Sequence, residues 1–444
     1  MKLHSLAIAA LVLAILTGFL YWSGRHKPAD DTSKISADTP PTILKLDQNS
    51  ITKLELKKKD AEPVVLAKSS GDWKITEPKP YSADQSAVDG LTSALSSLNS
   101  ERVVEDKASD LQNFGLNQPA LEVDLTEKDN KTQKLMLGDD TPASGAVYAM
   151  VAGDPRLFTI ATYTKTSFDK TMNDLRDKRL LPVAADKVSQ IEVKGKNSDI
   201  KFGRNKDNWQ ILKPKPMRAD SLQVGDLLRS LTNAQMDLSS ADAKQEAAQF
   251  TRAAPVATAT VTDESGTQEL QVRKSKDTYY AKSSAVEGAY KIDASLGKAL
   301  EKNVEDYRDK KLFDFGYNDP NKIELRNGNK SYSLTRGSAG VDDWWSGGKK
   351  MDGANVESLI SDLRDLSATS FPSSGFSNPL IDISMTSENG KSTENVQVAK
   401  SGDHYLAKRE NDPALYELSA SSVEGLLKAA QDLKPAATQT AQKK

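Results

Sequence analysis

The chain repeats itself at a period of about 130 residues, and this repetition limits what it can fold into more than any other feature. The first copy runs from Ile51-Thr52-Lys53-Leu54-Glu55-Leu56 through Asp72-Trp73 and Pro78-Lys79-Pro80 to Asp84, Val88 and Leu91. The second runs from Val188-Ser189-Gln190-Ile191-Glu192-Val193 through Asn208-Trp209 and Pro214-Lys215-Pro216 to Asp220, Val224 and Leu227. The third keeps Ile323-Glu324-Leu325, Asp343-Trp344, Asp352, Val356 and Leu359. Similar sequence forms similar local structure, so whatever one copy builds the others are expected to build.

Periodicity supplies the elements. Leu54-Glu55-Leu56, Ile191-Glu192-Val193 and Ile323-Glu324-Leu325 alternate apolar and charged residues, the pattern of a half-buried strand. A second strand is expected to end near the tryptophan. The Pro-Lys-Pro segments then interrupt pairing, because proline has no amide hydrogen to donate. Val88, Leu91, Leu95 and Leu98 next form a helical stripe, as do Val224, Leu227, Leu228 and Leu231, and Val356, Leu359, Ile360, Leu363 and Leu366. Asp84, Asp220 and Asp352 stand where a carboxylate caps the first-turn amides. A run of strands and a closing helix complete each copy.

The expected class is therefore α+β, with three tandem repeats, each a mostly antiparallel sheet with two helices, after an N-terminal transmembrane helix. The boundaries read as a signal anchor at 1–22, a polar linker at 23–48, repeats at 49–184, 185–316 and 317–435, and a loose tail at 436–444. Ser5 to Trp22 carries no charge and would span roughly 27 Å as a helix, close to one hydrocarbon core. Phe19, Tyr21 and Trp22 occupy the place of a cleavage site and suit a membrane interface, so an uncleaved anchor is expected. Lys2 faces Arg25 and Lys27 across the span, so charge alone does not orient it. The expected location is the cytoplasmic membrane, single-pass, with the bulk of the chain on the periplasmic or extracytoplasmic side.

Composition excludes several functions. A net charge of −2 with both signs interspersed offers no field for nucleic acid. The absence of cysteine removes disulfides, thiolate metal sites, a cysteine nucleophile and a lipidated cysteine. Of the histidines His4, His26 and His404, only the last falls in a globular region, too few for a histidine-rich metal site, and no G-x-S-x-G accompanies it. Ser167 to Lys170 and Ser295 to Lys298 match S-x-x-K without the S-D-N or K-T-G partners and read as helix starts. Gly347-Gly348-Lys349 lacks the rest of a phosphate loop. Asp139-Asp140 and Asp342-Asp343 read as turn residues, and Glu55, Glu192 and Glu324 as the outer side of a strand. Neither a catalytic set, a cofactor site nor a metal site is expected.

Trp73, Trp209 and Trp344 read as core anchors, and Asp84, Asp220 and Asp352 as caps. Trp345 is different, because neighbours on a strand point to opposite faces, so it is the candidate partner contact.

The series Trp73-Lys74-Ile75, Pro78, Ala83-Asp84, Phe114-Gly115-Leu116 with Pro119, and Arg176-Asp177-Lys178-Arg179-Leu180 resembles the bacterial domain-of-unknown-function family 4340. The second copy keeps most of it, with Phe250-Thr251-Arg252 and Arg308-Asp309-Lys310-Lys311-Leu312, whereas the third lacks the Pro-Lys-Pro and R-D-K segments. The resemblance covers roughly residues 49 to 435, and its motifs carry over no catalytic residue. It implies a membrane-anchored protein facing away from the cytoplasm, an accessory of an ABC transporter complex. The expected function is a non-enzymatic extracytoplasmic scaffold with an envelope protein partner. The alternatives are a cell-wall or polysaccharide binder using Trp345 and an envelope hydrolase using carboxylates.

Overall fold

The computed structural model describes residues 41–143, 145–196, 198–206, 208–239, 243–315, 320–337, 343–387 and 390–437. The expected membrane segment, most of the linker, His4, His26, Asp342 and most of the tail lie outside these residues. Among the described residues no helix is long and apolar enough to cross a membrane.

The alternating segments form three antiparallel sheets. The first is ordered Tyr81–Ser82, Asp72–Glu77, Val64–Ser69, Ile51–Lys58, Leu121–Glu127, Thr132–Asp140, Ala146–Val151, Leu157–Ala161 and Arg102–Glu105. The second is ordered Met217–Arg218, Asn208–Lys213, Asp199–Asn205, Gln190–Gly195, Ala254–Asp263, Gly266–Ser275, Thr278–Ser283 and Tyr290–Ile292. The third is ordered Lys349–Lys350, Trp344–Ser346, Lys330–Arg336, Lys322–Asn327, Ile381–Ser387, Ser392–Ser401, His404–Arg409 and Leu415–Leu418. In each, the opening strand lies inside the sheet, and register puts apolar residues opposite apolar ones. Leu54 faces Leu66 and Leu125, Ile191 faces Phe202 and Val261, and Ile323 faces Leu334 and Met385.

Each sheet has its own hydrophobic core on the helix side. Helix Gln85–Ser96 buries Val88, Leu91 and Leu95; Ser221–Thr232 buries Val224, Leu227, Leu228 and Leu231; Gly353–Asp365 buries Val356, Leu359, Ile360 and Leu363. Trp73, Trp209 and Trp344 lie in the same three cores. Asp84 accepts from the Ala87 amide at 3.1 Å, Asp220 from Leu222 at 2.9 Å and Asp352 from Asn355 at 3.2 Å. The first and second Pro-Lys-Pro segments each open on a cis peptide, Glu77-Pro78 and Lys213-Pro214.

Both ends of each sheet are met by the chain's own connecting segments. Beside the pre-helix strand, Ala83 bridges Arg176, Ala219 bridges Arg308, and Met351 bridges Pro435. Asp177 N–H donates to the Ser82 carbonyl at 2.9 Å, Asp309 N–H to Arg218 at 3.1 Å, and Ala436 N–H to Lys350 at 2.9 Å. The R-D-K segments thus close the sheets they leave. Lys434-Pro435-Ala436 does this work where the third sheet has no R-D-K. Entering segments behave alike: Ile43 N–H donates to Leu98 at 2.8 Å, Leu180 N–H to Ala234 at 2.8 Å, and Leu312 N–H to Leu366 at 3.1 Å. Such closure denies another chain the bare strand edges on which aggregation starts.

The expected α+β class, with three tandem repeats of two helices each, is corrected here. Antiparallel sheet dominates, with nine strands in the first sheet and eight in each of the others. The described residues hold eight α-helices, unevenly shared. The closing region of the first sheet splits into Thr162–Phe168 and Met172–Leu175, and the second sheet gains Ala243–Arg252. The chain also divides into two compact units, Met1–Asp177 and Lys178–Lys444, because the second and third sheets pack as one. Periodicity counts elements along the chain but is blind to the contacts that merge their products.

Replacing Asp84, Asp220 or Asp352 by alanine is expected to cost about 0.5–2 kcal/mol each, the range for a lost helix cap. Leu359→Ala is expected to cost about 2–5 kcal/mol. Urea denaturation at neutral pH measures both.

Candidate functional site

Away from the helices, the sheets are tiled with paired charges. Lys57 bridges Glu55 at 3.1 Å and Asp124 at 2.7 Å, and Lys134 reaches Glu122 at 2.9 Å. Glu192 holds Lys213 at 2.9 Å and Lys194 at 3.3 Å, and Glu324 holds Lys322 at 2.8 Å. The recurring glutamates are therefore engaged locally.

The third sheet makes the most of this face. A groove of about 760 Å³ crosses its strands. Register aligns two polar rows across it: Arg326, Asp382, Gln397 and Lys408 form one, and Glu324, Ser384, Asn395 and Glu410 the other. Arg326 donates to Asp382 at 2.5 Å, Gln397 Nε2 to Asp382 at 3.1 Å, and Asn395 Nδ2 to Glu410 at 2.5 Å. The turn Glu410 to Pro413 forms one wall. Hydrogen bonding from Arg326 holds the Asp382 carboxyl below its usual range, against a smaller effect of burial.

A half-buried clasp adjoins that wall. Arg218, on the edge strand of the second sheet, reaches the third: it pairs with Asp309, with Asp314 at 2.6 Å, and donates to the Lys311 carbonyl at 2.7 Å. It also donates to the Tyr416 hydroxyl at 3.2 Å, which donates in turn to Asp412 at 2.7 Å. Burial pushes the Tyr416 phenol up to about 12, so it remains a proton donor across the physiological range. Burial works against the charge on Arg218, but Asp314 and Asp309 outweigh it and hold the guanidinium above its ordinary value. Arg409 completes the network, pairing with Glu394 at 2.5 Å and Asp314 at 3.7 Å.

Other candidates sit apart from this region or take structural places. Trp345 is 41% exposed and pairs across strands with Thr335 and Lys350. His404 begins a strand opposite Ser401. Ser167 lies in Thr162–Phe168 and donates to the Tyr163 carbonyl at 3.2 Å, whereas the Ser295 amide is taken by the cap Asp293 at 2.8 Å. Gly347 and Gly348 form a tight turn at φ 55° and 74°. Asp140 faces Lys165 at 3.8 Å, and Asp139 lies where a side chain on Gly115 would stand. Among the described residues no group of three or more His, Cys, Asp or Glu is placed to hold a metal. Sequence reading passed over Arg218; the one available signal is that the first copy has Ser82 at the matching place before its helix.

Each of the three is an open antiparallel sheet with helices on one face and a charged, solvated other face. The chain belongs to the family described as Domain of unknown function (DUF4340), whose model matches residues 73–213 and 209–380. There are two matches where three repeats were expected, and each runs from the tryptophan strand of one sheet into the following sheet. No curated protein matches the chain. Solved structures similar to it include the DNA polymerase III subunit beta from Pseudomonas aeruginosa, at 8% identity, covering 85% of this chain and 94% of that one, with a TM-score of 0.15. Another is the DNA polymerase sliding clamp from Pseudomonas aeruginosa with ligand, at 9% identity, 85% and 93% coverage and a TM-score of 0.16. At these scores the likeness supports no conclusion about fold or function.

Arg218→Ala leaves the half-buried Asp309 without its cation, and is expected to cost about 1–3 kcal/mol and to split one calorimetric transition of the 178–444 unit into two. Asp382→Asn tests the outer face. A depressed carboxyl contributes stability above its unfolded value, roughly 3.9, and loses it as pH falls through the folded value. The variant is therefore expected to be less stable by about 0.2–1 kcal/mol at pH 7, the range for a partly exposed pair, and equal to the parent in strong acid. Urea midpoints at both pH values measure this.

Proposed function

We propose that this protein is a non-enzymatic scaffold on the extracytoplasmic side of the cytoplasmic membrane, held there by its apolar N-terminal stretch and engaging an envelope protein, a transporter complex in the first instance. One observation carries the reading: connecting segments close the sheet ends and helices cover one face, so the broad charged faces remain as the surface for contact. Paired charges suit recognition, because a correct partner exchanges one set of pairs for another and a wrong one leaves charges unpaired. Family membership supports the same reading through the transporter association that the resemblance implies.

Cross-linking in intact cells, followed by affinity capture of the full chain, is expected to recover a membrane transport component. Charge reversal at Lys57 and Lys134 together is expected to reduce that recovery several-fold. Recovery no greater than from a tag-only control would refute the proposal.

A further inference from the structure

The groove on the third sheet presents two polar rows to solvent. Its two rows run across the strands, so neighbouring polar groups in a row are separated by the strand spacing, about 4.8 Å. That distance is close to the length of one ring in an extended glycan. Same-side residues of an extended peptide recur at about 6.6 Å, twice the rise per residue, and fall out of step with the rows within two strands. The groups themselves are also suited to sugars. Asn395, Gln397 and Asp382 are planar and each offers two polar atoms, the arrangement that engages neighbouring hydroxyls or an acetamido group.

Charge narrows the class. Arg326 is paired with Asp382, and the lining sets Arg326, Lys408 and Arg409 against Glu324, Asp382, Glu410 and Asp412, so the groove carries no strong field of either sign. An uncharged glycan lies over such a surface without leaving a buried charge unpaired, whereas a strongly anionic or cationic polymer meets repulsion along half its length. The groove volume of about 760 Å³ is enough for a few rings.

We infer that the outer face of the third sheet is a binding site for a neutral polysaccharide strand, laid across Ile381–Ser387 and its neighbours and held by Gln397 and Asn395. The site is distinct from Trp345, which lies toward the opposite end of the sheet order. It is also independent of any protein partner, so failure of either proposal leaves the other standing. The wall turn contains Asp412, the acceptor of Tyr416 and through it a neighbour of Arg218.

The test is calorimetric titration of the full chain, in a detergent without a sugar headgroup, with β-1,4-linked hexasaccharides of glucose and of N-acetylglucosamine. At least one hexasaccharide is expected to bind. Its affinity is expected to fall tenfold or more in the N395A/Q397A variant and in Ser384→Phe, which fills the groove floor, while Trp345→Ala leaves it unchanged. Unaltered thermal melting shows that both groove variants fold. The inference is overturned if neither hexasaccharide binds at millimolar concentration, if both groove variants bind as the parent does, or if Trp345→Ala alone abolishes binding.

Discussion

Each sheet depends on one row of apolar contacts across its opening strand. Leu54 lies between Leu66 and Leu125, Ile191 between Phe202 and Val261, and Ile323 between Leu334 and Met385. A slip of one residue in any of these pairings would turn the apolar set to water and the charged set, Glu55 with Asp124 or Glu324 with Ser384, into the core. Burial of the inner row therefore fixes the composition of the outer face. The helix stripes and the tryptophans then fill the space on the inner side, and the polar rows follow on the other without any further specification.

The connections between sheets are structural parts as well as links. A segment such as Arg308-Asp309-Lys310-Lys311-Leu312 pairs first with the sheet it leaves, at Ala219, and then with the sheet it enters, at Ser367. Arg308 stacks over the Phe371 ring at 3.4 Å while Leu312 enters the third core. These pairings tie the connections down without disulfides, which agrees with the absence of cysteine.

Arg218 changes the character of the second connection. A single guanidinium gathers Asp309, Asp314, the Lys311 carbonyl and Tyr416 from two sheets, and its withdrawal from water is tolerable only because all of these partners are present. Through Tyr416 and Asp412 this cluster adjoins the wall of the outer groove.

The order of local elements was legible in the residues: the stripe of Val356, Leu359, Ile360 and Leu363, the alternation around Glu324 and the aspartates before each long helix are short-range patterns, and short-range physics reads them. The expected transporter association came only through family resemblance, and the expected location also from Ser5 to Trp22, which lies outside the described residues. Tertiary structure alone decided that the second and third sheets form one unit, that extra helices interrupt the repeat, and that Asp382, Gln397 and Asn395 share a groove. The reason is distance along the chain. Arg218 and Tyr416 stand far apart in sequence, and no periodicity links an arginine to the acids and the phenol that folding brings around it. What the sequence determined by itself is which side of each strand meets water; what the fold decided is which of those exposed groups became neighbours.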